Sequence, residues 1–162
     1  MDVMYVHDID KAVVNDVRRT WEESYNLKYT IGYPSQDPGN APPGQSRHSY
    51  GLAIDINIET PASNENNKRT LAKGVKQPWI EEGIDKVAID AGLTWGGNFP
   101  SYVDAVHFEF IPNYVNSLYS QVLAQAKAID PTLVPPFTPS ANGLAKCKKI
   151  DSLIKQGRIK LR

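Results

Sequence analysis

Two short stretches of the sequence combine histidine with acidic residues and lie well apart along the chain. The first runs from His48 to Asp55, and the second runs from Asp104 through His107 to Glu109. A catalytic zinc ion takes three protein ligands, commonly imidazole nitrogens and carboxylate oxygens, and keeps one position for water, whose pKa it lowers to about 7. His48, Asp55 and His107 supply such a set. We therefore predict one zinc site built from both stretches.

A hydrolytic zinc site also needs a general base that does not itself bind the metal. Asp104 lies three residues before His107, where it can reach the attacking water without joining the ligand set, and we predict that it is the base. Glu109 is expected on the same strand face as His107, where it would contact that ligand and fix its orientation without binding the metal. A solvated strand residue is the alternative interpretation of Glu109.

A lone histidine on a strand is more often a hydrogen-bonded structural residue than a metal ligand. The prediction therefore depends on the joint pattern. Each stretch pairs a histidine with an aspartate, and together the stretches contain two of the three histidines in the chain. His7 matches no such pattern and is interpreted as structural. The single cysteine, Cys147, lies far in sequence from both stretches and is expected to be an ordinary free thiol.

Alternating strands are expected to position the two stretches. From Leu52 to Glu59 every second residue is leucine or isoleucine, so Asp55 points away from the apolar face. The second stretch alternates in the same way around His107. If both strands lie in one sheet, Asp55 and His107 share the face opposite the core. Gly51 fits the turn between His48 and the first strand, where φ must be positive or a side chain would clash.

The whole chain predicts an α+β fold, with a small antiparallel sheet, helices on its apolar face and the zinc site on the other. Apolar spacing and the placement of proline and glycine predict helices over residues 8–25, 78–91 and 113–129 and strands over residues 27–33 and 93–95. A loop rich in proline, over residues 34–44, leads into the first stretch.

The C-terminal part is expected to form a separate basic segment. Four prolines within residues 130–139 predict a semi-rigid linker, which gives a catalytic domain over residues 1–130, a linker over 131–140 and a basic tail over 141–162. Residues 146–162 hold seven basic residues and one acidic residue, whereas the rest of the chain holds 11 basic and 17 acidic residues. This asymmetry predicts contact with an anionic surface such as nucleic acid or an acidic polymer, and a solvated helical end is the alternative.

Composition limits the classes of protein that fit. The 162 residues are 41% apolar, enough for a globular core, and no apolar run reaches the length that spans a membrane. The N-terminus lacks the basic-then-apolar order of a signal peptide. We therefore expect a monomer made in the cytoplasm, with no membrane insertion and no specific nucleic acid partner.

The ordered motif of the two stretches resembles the signature of the zinc-dependent LAS peptidases. The matching residues are Ser46-x-His48-x-x-Gly51-x-Ala53-x-Asp55, then Trp95-Gly96-Gly97, then Asp104-x-x-His107-Phe108-Glu109. That family includes D-alanyl-D-alanine carboxypeptidases and dipeptidases and the L-alanyl-D-glutamate endopeptidases of phage endolysins. The resemblance implies a fold like that of the D-alanyl-D-alanine peptidases, one zinc ion on His48, Asp55 and His107, and Asp104 as the base.

The resemblance also implies that Ser46 and Trp95 lie near the substrate. Family members commonly carry an arginine just after the Gly-Tyr that ends the first strand, where it helps to polarise the scissile carbonyl. This chain has Gly32-Tyr33-Pro34 at the matching place. Arg47, beside the first ligand, is the expected substitute and is therefore assigned to substrate binding.

These features together predict a zinc metallopeptidase that cleaves stem peptides of bacterial peptidoglycan. An L-alanyl-D-glutamate endopeptidase of a bacteriophage lysis system is favoured, because the expected lack of a signal peptide fits accumulation in the host cytoplasm before release to the wall. Transport in the virion is a further option. A D-alanyl-D-alanine carboxypeptidase is the second candidate. A non-catalytic zinc-containing binding module is the third, because the hedgehog signalling domain resembles this fold.

Overall fold

The computed structural model describes residues 11–34, 37, 39–60, 69–110 and 115–161. These residues divide into two compact units by their contacts. The first comprises the described residues of Met1–Val17 and Leu52–Pro112, and the second those of Arg18–Gly51 and Asn113–Arg162. Within the described ranges, no helix has both the length and the apolar character needed to cross a membrane.

The described residues form five strands and five α-helices, which confirms the predicted α+β class. The strands are β1 (Lys11–Asp16), β2 (Ala53–Thr60), β3 (Arg69–Thr70), β4 (Thr94–Trp95) and β5 (His107–Glu109). The helices are α1 (Trp21–Tyr29), α2 (Gln77–Glu81), α3 (Ile84–Asp90), α4 (Val115–Ile129) and α5 (Ala141–Lys155). All five strands lie in one antiparallel sheet of order β1-β2-β5-β4, with β3 also paired to β2.

Strand alternation gives the sheet of the first unit an apolar face and a polar face. Ile58 of β2 and Phe108 of β5 are buried in one cluster with Trp79 of α2. On the other face, β2 and β5 are in a register that pairs Asp55 directly with His107. The predicted sharing of one face by these two residues is confirmed, and the helices of this unit pack on the opposite face.

The N-terminal segment differs from its prediction. The spacing over residues 8–25 predicts a helix, but Lys11–Asp16 is strand β1, paired antiparallel with β2; residues 8–10 lie outside the described part of the chain. The apolar spacing of so short a segment fits the period of a helix and that of a strand. The edge of β2 supplies the backbone hydrogen-bond partners that a strand needs. The helix begins only at Trp21, where Thr20 and Glu23 form a reciprocal capping box.

Other boundaries shift in smaller ways. The strand predicted over residues 27–33 is wrong, because α1 continues to Tyr29 and a turn follows. The helix predicted over residues 78–91 is divided into α2 and α3, with the break at Glu82 and Gly83. The strand predicted over residues 93–95 is confirmed as β4. The helix predicted over residues 113–129 is α4, whose described part begins at Val115.

The second unit has its own core, to which α1, α4 and α5 contribute. Leu133 and Phe137, within the predicted linker, are only 2% and 6% exposed, and Ile150 and Leu153 of α5 are buried in the same cluster. A linker over residues 131–140 and a tail over residues 141–162 were predicted to be separate from the domain. In the structure, apolar side chains of both segments are buried in this core. Cys147 is a buried free thiol there, and burial raises its pKa to about 12.

Asp151 of α5 anchors the first turn of α1. Its two carboxylate oxygens accept hydrogen bonds from the backbone N–H groups of Trp21, at 2.9 Å, and Glu22, at 2.8 Å. The variant Asp151→Ala would leave both donors without this acceptor, and each unsatisfied buried group costs about 1–3 kcal/mol. We expect the free energy of unfolding, measured by urea denaturation, to fall by about 2–4 kcal/mol.

The matched control for this prediction is Asp90→Ala. Asp90 is exposed at the end of α3, so its removal should change the free energy of unfolding by less than about 0.5 kcal/mol. If the two variants were equally stable, Asp151 would not have the anchoring role.

Candidate metal centre

The structure brings the three predicted ligands together. One possible ligand atom from each of His48, Asp55 and His107 lies within 4.8 Å of the others. Nδ1 of His107 and Oδ1 of Asp55 are 3.0 Å apart, and these two side chains are 12% and 16% exposed. His48 is buried, with 2% exposure. Two imidazoles and one carboxylate form a donor set typical of catalytic zinc, so these residues fit a single zinc ion.

A short 3-10 turn, Arg47–Tyr50, positions His48. The hydroxyl of Ser46 caps this turn and accepts a hydrogen bond from the backbone N–H of His48 at 3.3 Å. Gly51 ends the turn with φ of +67°, which confirms the positive φ predicted there. Ser46 is 8% exposed, so its observed contact is with the backbone of the ligand; its predicted contact with substrate stays a prediction.

Glu109 contacts the ligand that it was predicted to orient. Its Oε2 lies 3.1 Å from Nε2 of His107, and its side chain is 4% exposed. Burial alone would lower the pKa of His107, but the hydrogen bonds with Asp55 and Glu109 outweigh burial and raise that pKa to about 9. Glu109 thus contacts the ring nitrogen of His107 that does not face Asp55. This contact fixes the orientation of the imidazole.

The two carboxylate oxygens of Asp104 have different surroundings. Oδ2 forms an ion pair with Nζ of Lys73 at 3.5 Å. Oδ1 is buried and has no hydrogen-bond partner among the residues that the structure describes. Burial raises the pKa of Asp104, although the Lys73 ammonium opposes this shift. Buried polar atoms normally have a partner, and an exception calls for an explanation such as a bound water or a catalytic role.

Trp95 lies in the core of the first unit. It is 1% exposed, and its indole N–H donates to the carbonyl of Ala105 at 2.8 Å. The predicted substrate contact of Trp95 stays a prediction. Its hydrogen bond holds the backbone immediately after Asp104.

Gly96 lies where the chain passes closest to the second stretch. A Cβ atom at this position would collide with the backbone oxygen of Asp104 and lie 2.9 Å from Cβ of His107. The backbone N–H of Asp104 also donates to the carbonyl of Gly96 at 3.1 Å. The absence of a side chain at residue 96 therefore allows Asp104 and His107 to hold their positions.

The variant Gly96→Ala tests this close packing. Because the neighbouring atoms are backbone and Cβ, they must shift, and overpacking of this kind costs about 1–3 kcal/mol. We expect a loss of unfolding free energy of that size and at least a tenfold loss of zinc affinity, measured by calorimetric titration. The control is Gly74→Ala, because a Cβ atom there meets nothing within 4 Å. Equal zinc affinity in the two variants would contradict this role of Gly96.

Pro34 follows a turn and not the predicted strand, because α1 continues to Tyr29. The expected substitution of Arg47 for the family arginine stays a prediction. The backbone N–H of Arg19 donates to the carbonyl of His48 at 3.0 Å. Arg47 is half-buried within the turn that carries His48.

Two further residues next to the site, Lys73 and Phe99, belong to no motif and were not predicted from the sequence. The ammonium of Lys73 pairs with Asp104, and the ring of Phe99 lies 5.6 Å from that of His107, measured between centroids. Tyr102, 58% exposed, packs on Phe99 at 5.4 Å. Two aromatic residues close after Gly96-Gly97 were the only available signal.

Comparisons with known proteins agree with this geometry over one part of the chain. Residues 39–110 match the family described as D-alanyl-D-alanine carboxypeptidase, and this range includes Asp104 and all three predicted ligands. The chain is also 32% identical over 72 residues to the peptidoglycan L-alanyl-D-glutamate endopeptidase CwlK of Bacillus subtilis (strain 168). This alignment covers 43% of this chain and 42% of that protein. The alignment thus spans less than half of either protein. The resemblance to the LAS peptidases is confirmed over this region.

Proposed function

We propose that this protein is a zinc metallopeptidase that hydrolyses a peptide bond in the stem peptides of bacterial peptidoglycan. The observation that carries the proposal is the convergence of His48, Asp55 and His107 within 4.8 Å, in the same matched region as Asp104. A structural zinc site is normally closed by four protein ligands, whereas a catalytic site has three and an open position. Three ligands among the described residues, with Asp104 close enough to interact electrostatically with Asp55 and His107, favour catalysis.

The residues of the chain have separate tasks in the proposed reaction. His48, Asp55 and His107 would hold the zinc ion, and Glu109 keeps the imidazole of His107 in the orientation that binding requires. A zinc ion held in this way supplies Lewis acidity towards the peptide carbonyl and makes the attacking water more acidic. Asp104 would accept the proton of that water and then deliver it to the nitrogen of the leaving amine.

Lys73 limits how far burial can raise the pKa of Asp104. Burial favours the neutral acid, and the ammonium at 3.5 Å favours the carboxylate. The carboxylate form is needed for the first proton transfer and the acid form for the second. Lys73 therefore keeps the base available before the attack, while the partial burial of Asp104 makes its acid form a usable proton donor afterwards.

We assign the L-alanyl-D-glutamate bond as the bond cleaved. The named activity of the B. subtilis relative supports this choice, whereas the description of the matched family supports a D-alanyl-D-alanine carboxypeptidase as the second candidate. An aspartate at the position of the base also resembles the phage enzymes, so we place the protein in a phage lysis system, acting on the wall after release from the host cytoplasm or as part of the virion.

Digestion of purified peptidoglycan with the zinc-loaded protein tests the proposal. Cleavage of the L-alanyl-D-glutamate bond releases new α-amino groups of glutamate and leaves L-alanine on the glycan, and mass spectrometry of the products identifies both. Release of free D-alanine alone would support the carboxypeptidase. If no new amine group appeared with zinc restored, the peptidase proposal would fail and the zinc-containing binding module would replace it.

A further inference from the structure

The loop between β3 and α2 holds Lys73 beside Asp104. The carbonyl of Lys73 accepts a hydrogen bond from the backbone N–H of Ala105 at 2.8 Å. The preceding carbonyl, of Ala72, accepts one from the indole N–H of Trp79 at 3.1 Å, and Trp79 and Ala105 are both 0% exposed. The backbone of Lys73 is therefore fixed against the residue that follows Asp104, so its position near Asp104 is built into the first unit.

The ammonium group of Lys73 has more hydrogen-bond donors than Asp104 uses. Its Nζ lies 3.5 Å from Oδ2 of Asp104, and the two side chains are 60% and 14% exposed. An ammonium group has three donors and no acceptor, and Asp104 is the one acceptor for Lys73 that the described residues provide. The ammonium thus contacts the proposed base on one side and is accessible to a substrate on the other.

The substrate brings a carboxylate to the same place. In the proposed reaction, the carboxyl group of Asp104 comes within about 2.6–3.2 Å of the leaving nitrogen, which is attached to the α-carbon of D-glutamate. The stem peptide continues through the γ-carboxyl group of this glutamate, so its α-carboxylate is free. Because this carboxylate is on the same carbon as the leaving nitrogen, its oxygens lie about 3 Å from that nitrogen. The ammonium of Lys73 and the α-carboxylate are therefore both neighbours of Asp104.

We infer that the ammonium of Lys73 binds the free α-carboxylate of the substrate residue that carries the leaving amine. This inference rests on the proposed peptidase and names its substrate class, which is stem peptides whose D-glutamate is not amidated. An ammonium group forms charge-assisted hydrogen bonds with a carboxylate, and these are about twice as strong as bonds between neutral groups. A terminal D-alanine also bears a carboxylate on the carbon of its amine, so the inference applies to the carboxypeptidase candidate as well.

Two synthetic stem peptides that differ in one group test this contact. One carries D-glutamate with a free α-carboxylate, and the other carries the α-carboxamide, D-isoglutamine. We expect the zinc-loaded wild type to cleave the acid with a kcat/KM at least about fivefold above that of the amide. In Lys73→Met this preference should fall below about twofold, whereas Lys73→Arg keeps the cation and should keep the preference. Loss of the ion pair with Asp104 would slow both peptides alike, so the ratio of the two kcat/KM values reports on the substrate contact.

The matched control is Lys86→Met, which makes the same change at an exposed residue of α3 and should keep the wild-type ratio. Equal cleavage of both peptides by the wild type, or an undiminished preference in Lys73→Met, would overturn the inference and leave the peptidase standing. If the protein released D-alanine instead, peptides ending in D-alanine and in D-alaninamide would replace the pair, with the same expected ratios. Cleavage of neither kind of peptide would refute the proposed function, and the inference with it.

Discussion

Replacement of His107 by alanine is expected to abolish zinc binding and, with it, hydrolysis of peptidoglycan. The variant removes one of the three predicted ligands. It also removes the imidazole that contacts Asp55 through one ring nitrogen and Glu109 through the other. Loss of an outer partner alone lowers metal affinity about 10–100-fold. Loss of a direct ligand should exceed that range, so we expect more than a hundredfold fall in zinc affinity, measured by competition with a chromogenic chelator.

The matched control is His7→Ala, which removes a histidine that belongs to neither motif. It should retain both the zinc affinity and the activity of the wild type. Glu109→Gln should fall between the two, with affinity about 10–100-fold below the wild type, because the imidazole loses its charged partner but remains a ligand. Zinc affinity of His107→Ala within threefold of the wild type would remove His107 from the ligand set.

Replacement of Asp104 by asparagine should separate metal binding from catalysis. The amide keeps the volume of the side chain but cannot take a proton from water, and a positioned general base contributes about 10²–10⁴ to a rate. We expect the rate of release of amine groups to fall by that factor while the protein still binds one zinc ion with wild-type affinity. The rate is measured on purified peptidoglycan with zinc in slight excess.

Asp90→Asn provides the control for Asp104→Asn, because it makes the same chemical change at an exposed residue of α3. Its rate should equal that of the wild type. If Asp104→Asn kept more than a tenth of the wild-type rate, Asp104 would not be the base. If it lost its zinc, Asp104 would be a residue that supports the ligands and not one that acts on water.

The site could be predicted from the sequence because local patterns decide where its residues point. Strict alternation along β2 leaves one orientation for Asp55, since a shift of one residue would expose the isoleucines. The same argument applies to His107 on β5, and the cross-strand pair that results is observed. Gly51 and its positive φ follow from the same short segment. The orientation of each side chain is set within its own short segment; only the pairing of β2 with β5 joins distant parts of the chain.

The N-terminal assignments failed because they depend on distant partners. The six residues of β1 are a strand since β2 offers them an edge, and the sequence within the segment does not reveal that edge. The strand predicted over residues 27–33 failed in the opposite way, because α1 continues to Tyr29 and a turn follows.

The basic C-terminal segment shows a different limit. Its charge suggested a tail, but the apolar residues of α5 recur at helical spacing, with Cys147, Ile150 and Leu153 buried. Whether such a face packs on the rest of a protein depends on a complementary surface, here including Trp21 and Val122. Net charge reports on the exposed face alone, so it could not reveal the buried one.

Anomalous diffraction at the zinc edge, from crystals grown with one equivalent of zinc, tests the central claim most directly. The claim is that two separated stretches of sequence form a single metal centre. We predict one strong anomalous peak, about 2.0–2.2 Å from nitrogen atoms of His48 and His107 and an oxygen of Asp55. A peak at other residues, or crystals with no zinc peak at that position, would contradict the claim.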